Sequence, residues 1–141
     1  MPARHPPNIF TRVTHNTLRS DTRDTGRLGE EAAAELLRGE GYQILHRNWR
    51  AGRYELDIVA TKGEHICFVE VKTRRARGLT APEDAFTPHK LKALARAADA
   101  YLHLYAAEHL EPRFDLVAVE CEGGRVVAIR HIPDAGTLSW H

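Results

Sequence analysis

The stretch YELDIVATKGEHICFVEVKTR, Tyr54 to Arg74, decides the fold. Tyr54, Leu56, Ile58 and Ala60 alternate with Glu55, Asp57 and Val59; after a polar Thr61–His65, Cys67, Val69 and Val71 alternate with Ile66, Phe68, Glu70 and Lys72. Period-two alternation on either side of a turn predicts a β-hairpin. Side chains two apart share a face, so Glu70 and Lys72 point the same way. The hairpin then sets Asp57 beside Glu70, with Lys72 one pair further along. Carboxylates and an amine on core-type strands point to a divalent-metal site for phosphodiester chemistry, because such an ion acts as Lewis acid and lowers the pKa of bound water. Magnesium, or manganese, takes hard oxygen ligands: Asp57, Glu70 and, as a third, the Val71 carbonyl. Lys72 would orient the attacking water or offset phosphate charge. The competing reading is a surface ribbon whose acids and lysine face water, since E-x-K alone is a weak pattern.

Upstream, a helix is expected from Asp24 or Thr25 to Gly39, stopped by Gly39 and Gly41. Leu28, Ala32, Ala33, Leu36 and Leu37 form its apolar stripe, with Glu31, Glu35, Arg27 and Arg38 opposite. Glu30 sits at the stripe's edge, either as a partner of the helix dipole or as a group aimed inward, where it would hold a second ion or a metal-bound water. Gly26 and Gly29 cost helix stability and hint at close backbone approach. Tyr42 to Arg50 reads as a first strand, and Arg47, Arg50 and Arg53 with Trp49 make a basic, aromatic cluster. That cluster suits nucleic-acid contact or is a solvated hairpin end.

Downstream, Arg74 to Pro88 is a long loop with a basic start at Arg74 and Arg75, where a phosphate of the substrate would lie. Thr87 and Pro88 form an N-cap and first helical position for a helix to about Ala106, with Leu91, Leu94, Ala95, Ala98, Leu102 and Tyr105 as its buried stripe. Lys90 and Lys92 in its first turn oppose the dipole, which favours an anion-binding role. Arg113–Cys121 and Val126–Ile132 are strands separated by a turn at Gly123 and Gly124, and strand, helix, strand resembles a βαβ crossover. The element order is α-β-β-β-α-β-β, an α/β fold with a mixed sheet of about five strands flanked by helices. Residues 1–23 read as a flexible arm, 24–133 as the domain and 134–141 as a tail.

The chain's 141 residues carry a net charge of +1. This bounds it to one domain with no global basic field, so any polyanion site must be local. Cys67 and Cys121 lie at apolar strand positions and read as buried thiols, and the nine histidines show no zinc-type spacing. No stretch has the length of a membrane span and no signal peptide is evident, which makes a cytoplasmic location the expectation.

The set G-R-L-G-E at Gly26–Glu30, G-Y-Q-I-L at Gly41–Leu45, N-W-R at Asn48–Arg50, E-L-D-I-V-A at Glu55–Ala60, F-V-E-V-K-T-R at Phe68–Arg74, Lys90 and R-F-D-L-V at Arg113–Val117 resembles the YraN family of bacterial predicted nucleases. An acid on a first helix, then D, then E-x-K on the next strand resembles the wider restriction-endonuclease-like, PD-(D/E)xK, superfamily, which includes Holliday-junction resolvases. Tyr54 stands where the family pattern has glycine, and no proline precedes Asp57. The resemblance implies that Glu30, Asp57, Glu70 and Lys72 are the catalytic-type positions.

The expected function is a magnesium- or manganese-dependent endonuclease acting on DNA, more than on RNA, with branched DNA in repair or recombination as the substrate class. Arg50, Arg53, Arg74, Arg75 and Lys90 are the expected nucleic-acid contacts, and Glu55, on the same side as Asp57, is a further acid of interest. A two-fold symmetric branched substrate would suit a homodimer. A non-catalytic nucleic-acid-binding or adaptor protein on the same fold is the alternative, and a protein-binding module the third reading.

Overall fold

A computed structural model describes residues 17–76 and 86–138. The elements are α1 (Thr17–Gly39), β1 (Gln43–Ala51), β2 (Tyr54–Lys62), β3 (His65–Arg75), α2 (Pro88–Leu104), β4 (Glu111–Glu122), β5 (Arg125–Ile132) and a final turn of helix, α3 (Ala135–Leu138). The five strands form one sheet in sequence order, β1-β2-β3-β4-β5. Only β3 and β4 run parallel, joined over α2; the other neighbours are antiparallel. This is the mixed α/β sheet, in the order α-β-β-β-α-β-β, that the periodicities predict.

Local chemistry sets the boundaries. α1 ends because Gly41 takes φ +95°. Gly41 N–H then reaches Arg38 O and Tyr42 N–H reaches Leu37 O, each at 3.0 Å, the bond pair of a Schellman cap. Gly63, at φ +62°, closes a two-residue turn between paired Lys62 and His65, the position where a hairpin turn wants glycine. The Thr87 hydroxyl accepts from Lys90 N–H at 3.1 Å, with Pro88 opening α2. At the other end of the chain's first helix the expectation fails: α1 starts at Thr17, not near Asp24. Thr17–Arg23 is polar, and periodicity detects a helix only where a stripe is buried. Arg4 and Arg12 of the expected arm, Arg77, Gly78 and Pro82 of the expected loop, and Trp140 lie outside the described residues.

Helices cover both faces of the sheet. Ala33, Ala34 and Leu37 of α1 pack on Ile58, Ala60, Cys67, Val69, Val117, Val119 and Cys121. Leu91, Leu94, Ala97, Ala98, Tyr101 and Leu102 of α2 pack on Trp49, Leu56, Val59, Ile66, Phe68 and Leu116. Burial on both faces explains why β3 reads as a nearly continuous apolar run. Both helices are rotated slightly from the expected phase: Ala34 is buried on α1, and Ala97 and Tyr101, rather than Ala95 and Tyr105, on α2. Tyr101 stays buried because its hydroxyl meets His46 Nδ1 at 2.6 Å while its ring packs edge-on to Trp49 and Phe68. Trp49 is itself buried and donates Nε1–H to the Tyr105 hydroxyl at 3.2 Å. The predicted basic, aromatic surface cluster therefore loses its indole to the core, and Arg47 pairs with Glu31 at 3.2 Å.

A polar network closes one side of the α1 core. Asp115, fully buried, accepts from Arg113 Nε at 2.8 Å, Arg113 Nη2 at 2.7 Å and Asp134 N–H at 2.9 Å. His131 lies between two carboxylates, Nε2 2.8 Å from Asp115 and Nδ1 2.7 Å from Glu40. Both neighbours are acceptors, so the imidazolium satisfies them best, and its pKa is raised because these bonds outweigh its burial. Burial also opposes the Asp115 charge, yet its donors hold the carboxyl down at about 2. Asp115 of the R-F-D-L-V motif is thus a structural acid. A depressed folded pKa gives stability present above the unfolded value of 3.8 and lost as pH falls towards 2. Asp115→Ala should cost about 3–5 kcal/mol in urea denaturation by removing the carboxylate that answers both buried cations, leaving Arg113 with Tyr42 and His131 with Glu40 alone, and should flatten the acid limb of stability between those pH values. A loss under about 1 kcal/mol would show that the network contributes no more than a surface pair.

Candidate functional site

Leu56 and Ile58, two apart on β2, should share a face, yet Leu56 enters the α2 core and Ile58 the α1 core. The alternation breaks at Asp57. There the β2–β3 ladder, which runs from Lys62 with His65 to Ile58 with Val69, also ends. Beyond it the Val71 N–H donates to Asp57 Oδ2 at 2.8 Å, so the carboxylate replaces a strand partner. On the neighbouring strand Asn48 lies between the pairs Arg47 with Ile58 and Trp49 with Leu56, and it adopts φ +52°. Asparagine tolerates this left-handed conformation better than most residues. The bend turns its amide towards α1, where Nδ2 donates to Glu30 Oε1 at 3.2 Å.

Asp57 stands at this break within the field of Glu70 and, more weakly, of Glu30. Glu70 is buried, with Oε2 3.4 Å from Lys90 Nζ. The Asp57 carboxyl is pushed up to about 6, first by burial and then by the Glu70 charge, with Glu30 adding to it; the Val71 amide and Lys90 pull the other way. Lys72 and Val71 share a cleft of about 340 Å³ with Glu30, Thr25, Arg74 and Arg75. Arg74 Nε in that cleft is buried and has no hydrogen-bond partner among the described residues. The structure therefore brings Glu30, Asp57, Glu70, Val71, Lys72, Lys90, Arg74 and Arg75 to one region.

Glu55 and Arg50 stand apart from it. Glu55 does not join Asp57; it is exposed and pairs with Arg50 at 3.2 Å, because the break at Asp57 separates the two acids. Arg53 sits in the exposed β1–β2 turn and lines a second groove against α2. Lys90, expected to contact an anion, has its Nζ 3.4 Å from Glu70 Oε2 and remains partly exposed. Asn48 is the residue that the spacing of acids did not reveal as a support for Glu30. Its signals were an asparagine inside an otherwise strand-forming run and its place in the N-W-R motif at Asn48–Arg50.

Gly29 is a support that the sequence did signal. A Cβ there would run into the Thr73 side chain, with Thr73 Cβ at 3.0 Å and Cγ2 at 3.2 Å; α1 thus lies close on β3 one turn-step from Glu30. Gly26 has open space around its Cα and borders the cleft instead. Gly29→Ala should destabilise the fold by about 1–3 kcal/mol through overpacking, read as a lowered melting temperature, while Gly26→Ala should not. Equal melting of both variants would refute the close approach.

A group whose folded pKa is raised contributes stability below its unfolded value of 3.8 and loses it as pH climbs through about 6. Asp57→Asn keeps an acceptor for the Val71 amide and removes a repelled charge. In chelator at about pH 8, this variant should be more stable than the parent by about 1–3 kcal/mol, seen as a rise in melting temperature. An unchanged or lower melting temperature would mean that the carboxylates do not repel as the geometry requires.

Comparison with known proteins agrees on the family. The model of the uncharacterised protein family UPF0102 matches residues 29–119. A UPF0102 protein of Nitratidesulfovibrio vulgaris is 49% identical over 115 residues, covering 82% of this chain and 85% of that protein. A relative from Bacteroides fragilis is 44% identical over 111 residues, 78% and 89% of the two chains. One from Pelobacter propionicus is 42% identical over 127 residues, 89% and 91%. The match spans the α1 acid, the break at Asp57, the Glu70–Lys72 strand and most of β4, and the chain belongs to the UPF0102 family, for which YraN is another name.

Proposed function

We propose that the protein is a metal-dependent endonuclease of the PD-(D/E)xK type that hydrolyses phosphodiester bonds in DNA, branched DNA in repair or recombination being the substrate class. The observation that carries this reading is the Asp57 carboxyl under the charge of Glu70, and more weakly of Glu30, where β2 and β3 part, with Glu30 lining a cleft beside Lys72, Arg74 and Arg75. The residues fit a divalent ion by the chemistry of the donors. Asp57 and Glu70 are hard oxygen ligands whose mutual repulsion an ion relieves, and magnesium needs only one or two carboxylates with water and phosphate completing its shell. Among the described residues no three His, Cys, Asp or Glu side chains form a ready-made chelate, so water and substrate oxygens would have to complete the shell.

Asp57 and Glu70 would hold the ion, with the Val71 backbone and Glu30 at its margin. When bound, magnesium or manganese supplies Lewis acidity and a more acidic water. Glu30 is steadied by Asn48, so it can accept a proton from water at a fixed position. Lys72 offsets charge on the scissile phosphate, and Arg74 and Arg75 line the same cleft. Glu70, now 3.4 Å from Lys90 Nζ, would hold the ion, and Lys90 would then be free to face a phosphate.

A second reading, a nucleic-acid-binding or adaptor protein without turnover, draws on the same bonds. The Val71 amide on Asp57 and Lys90 on Glu70 give each acid one partner without an ion. Calorimetric titration of manganese at about pH 8, where Asp57 is ionised, separates the two. The nuclease reading expects binding by the parent chain, loss in Asp57→Asn, and weaker binding as pH drops below about 6. It also expects metal-dependent cleavage of junction, flap or single-stranded DNA. No heat of binding with or without DNA, together with retained DNA affinity, would leave the adaptor reading in its place.

A further inference from the structure

The second groove lies between the β1–β2 turn and α2, about 190 Å³ in volume, and is lined by Arg53, Tyr54, Glu55, Lys90 and Arg96 around an apolar floor that includes Ala93. We propose that it is a subsite for one unpaired nucleotide adjoining the scissile phosphate, with Arg53 and Arg96 holding a phosphate and Tyr54 offering its ring to the base. The proposal rests on the nuclease reading and adds what lies next to the reacting centre.

Four features support it. Lys90, Ala93 and Arg96 follow at intervals of three on α2, which sets them along one side of the helix. The small, exposed Ala93 leaves space between two cations. Glu55, the one acid in the groove, has its charge offset by Arg50 at 3.2 Å, so the lining is left with a positive excess. Tyr54 is only partly buried and packs by one side against the α2 core, which gives its ring a rigid backing. A cationic wall with one aromatic ring is the arrangement that single-stranded nucleic acid uses, phosphate on cation and base on ring.

Position ties the groove to the reacting centre. Lys90 belongs to both, since its Nζ is 3.4 Å from Glu70 and its side chain lines the groove. An occupant of the groove is therefore the immediate neighbour of a phosphate at Asp57 and Glu70. The groove is of single-nucleotide rather than duplex size, so the proposed preference is for DNA unpaired on this side of the cut.

The test is fluorescence anisotropy with a labelled single-stranded oligodeoxynucleotide of about six residues, within the usual site size of one small domain, against a duplex of equal length. Full-length protein is used in calcium or chelator, so that binding is read without cleavage. The parent chain should prefer the single strand. Arg96→Gln should lower its affinity severalfold and reduce the slope of log affinity against log salt by about 0.7, the value for one lost single-strand phosphate contact. Tyr54→Leu should weaken binding about tenfold with the slope unchanged. Ala93→Glu, on an exposed helix face, tests the groove without disturbing the core and should abolish the single-strand preference.

Three variants that bind like the parent, or an equal preference for duplex, would overturn the subsite even if the protein cleaves DNA. Binding that depends on these residues, alongside absent metal binding at Asp57, would support the groove and sink the nuclease reading alone.

Discussion

The Val71 amide on the Asp57 carboxylate is the interaction on which the site depends. A backbone N–H that leaves a ladder inside a protein must find another acceptor. Here the acceptor is a charged side chain held next to other acids. The same bond lets β3 part from β2 without an orphaned donor, and the gap so opened is where Glu30, Glu70 and Lys72 come together. Asn48 completes the break from the other side, since a straight β1 would keep its amide away from α1.

Two aspartates in one sheet show how surroundings choose a role. Asp115 is ringed by a guanidinium, an imidazole and an amide, and its carboxyl is held down at about 2. Asp57 has one amide and a nearby lysine against two neighbouring acids, and its carboxyl rises to about 6. Burial raises both; the partners decide the sign of the total. Asp115 stabilises the fold because its charge is answered within the chain. Asp57 carries charge the fold does not fully answer, the condition typical of functional carboxylates.

The architecture places two clefts on either side of this acid pair. One lies between α1 and the end of β3, with Lys72, Arg74 and Arg75, and the other between α2 and the β1–β2 turn, with Arg53 and Arg96. α1 and α2 cover opposite faces of the sheet. The buried thiols take no part: burial pushes Cys67 up to about 12 and Cys121 upward, which leaves both as core-packing groups.

The sequence by itself determined the element order, the hairpin, the capped start of α2 and the pairing of acids on neighbouring strands. These follow from period-two and helical periodicities, turn glycines and caps, which are local properties of the chain. It also singled out Glu30, whose place at the stripe edge is a matter of helical phase. Tertiary structure alone decided which of the other charged residues stand with them. Glu55 and Asp57 are equivalent in a regular strand, and only the break at Asp57, set by Val71 and Asn48, sends one to Arg50 and the other to Glu70. The same holds for Trp49, taken into the core by Tyr105 and α2, and for Arg113, Asp115 and His131, whose network spans two strands and the end of α1. Most of these partners, such as Trp49 with Tyr105 and His131 with Glu40, are distant in the chain, and no periodicity records them; they are fixed by which faces the helices cover and by the demand that each buried charge and amide find a partner.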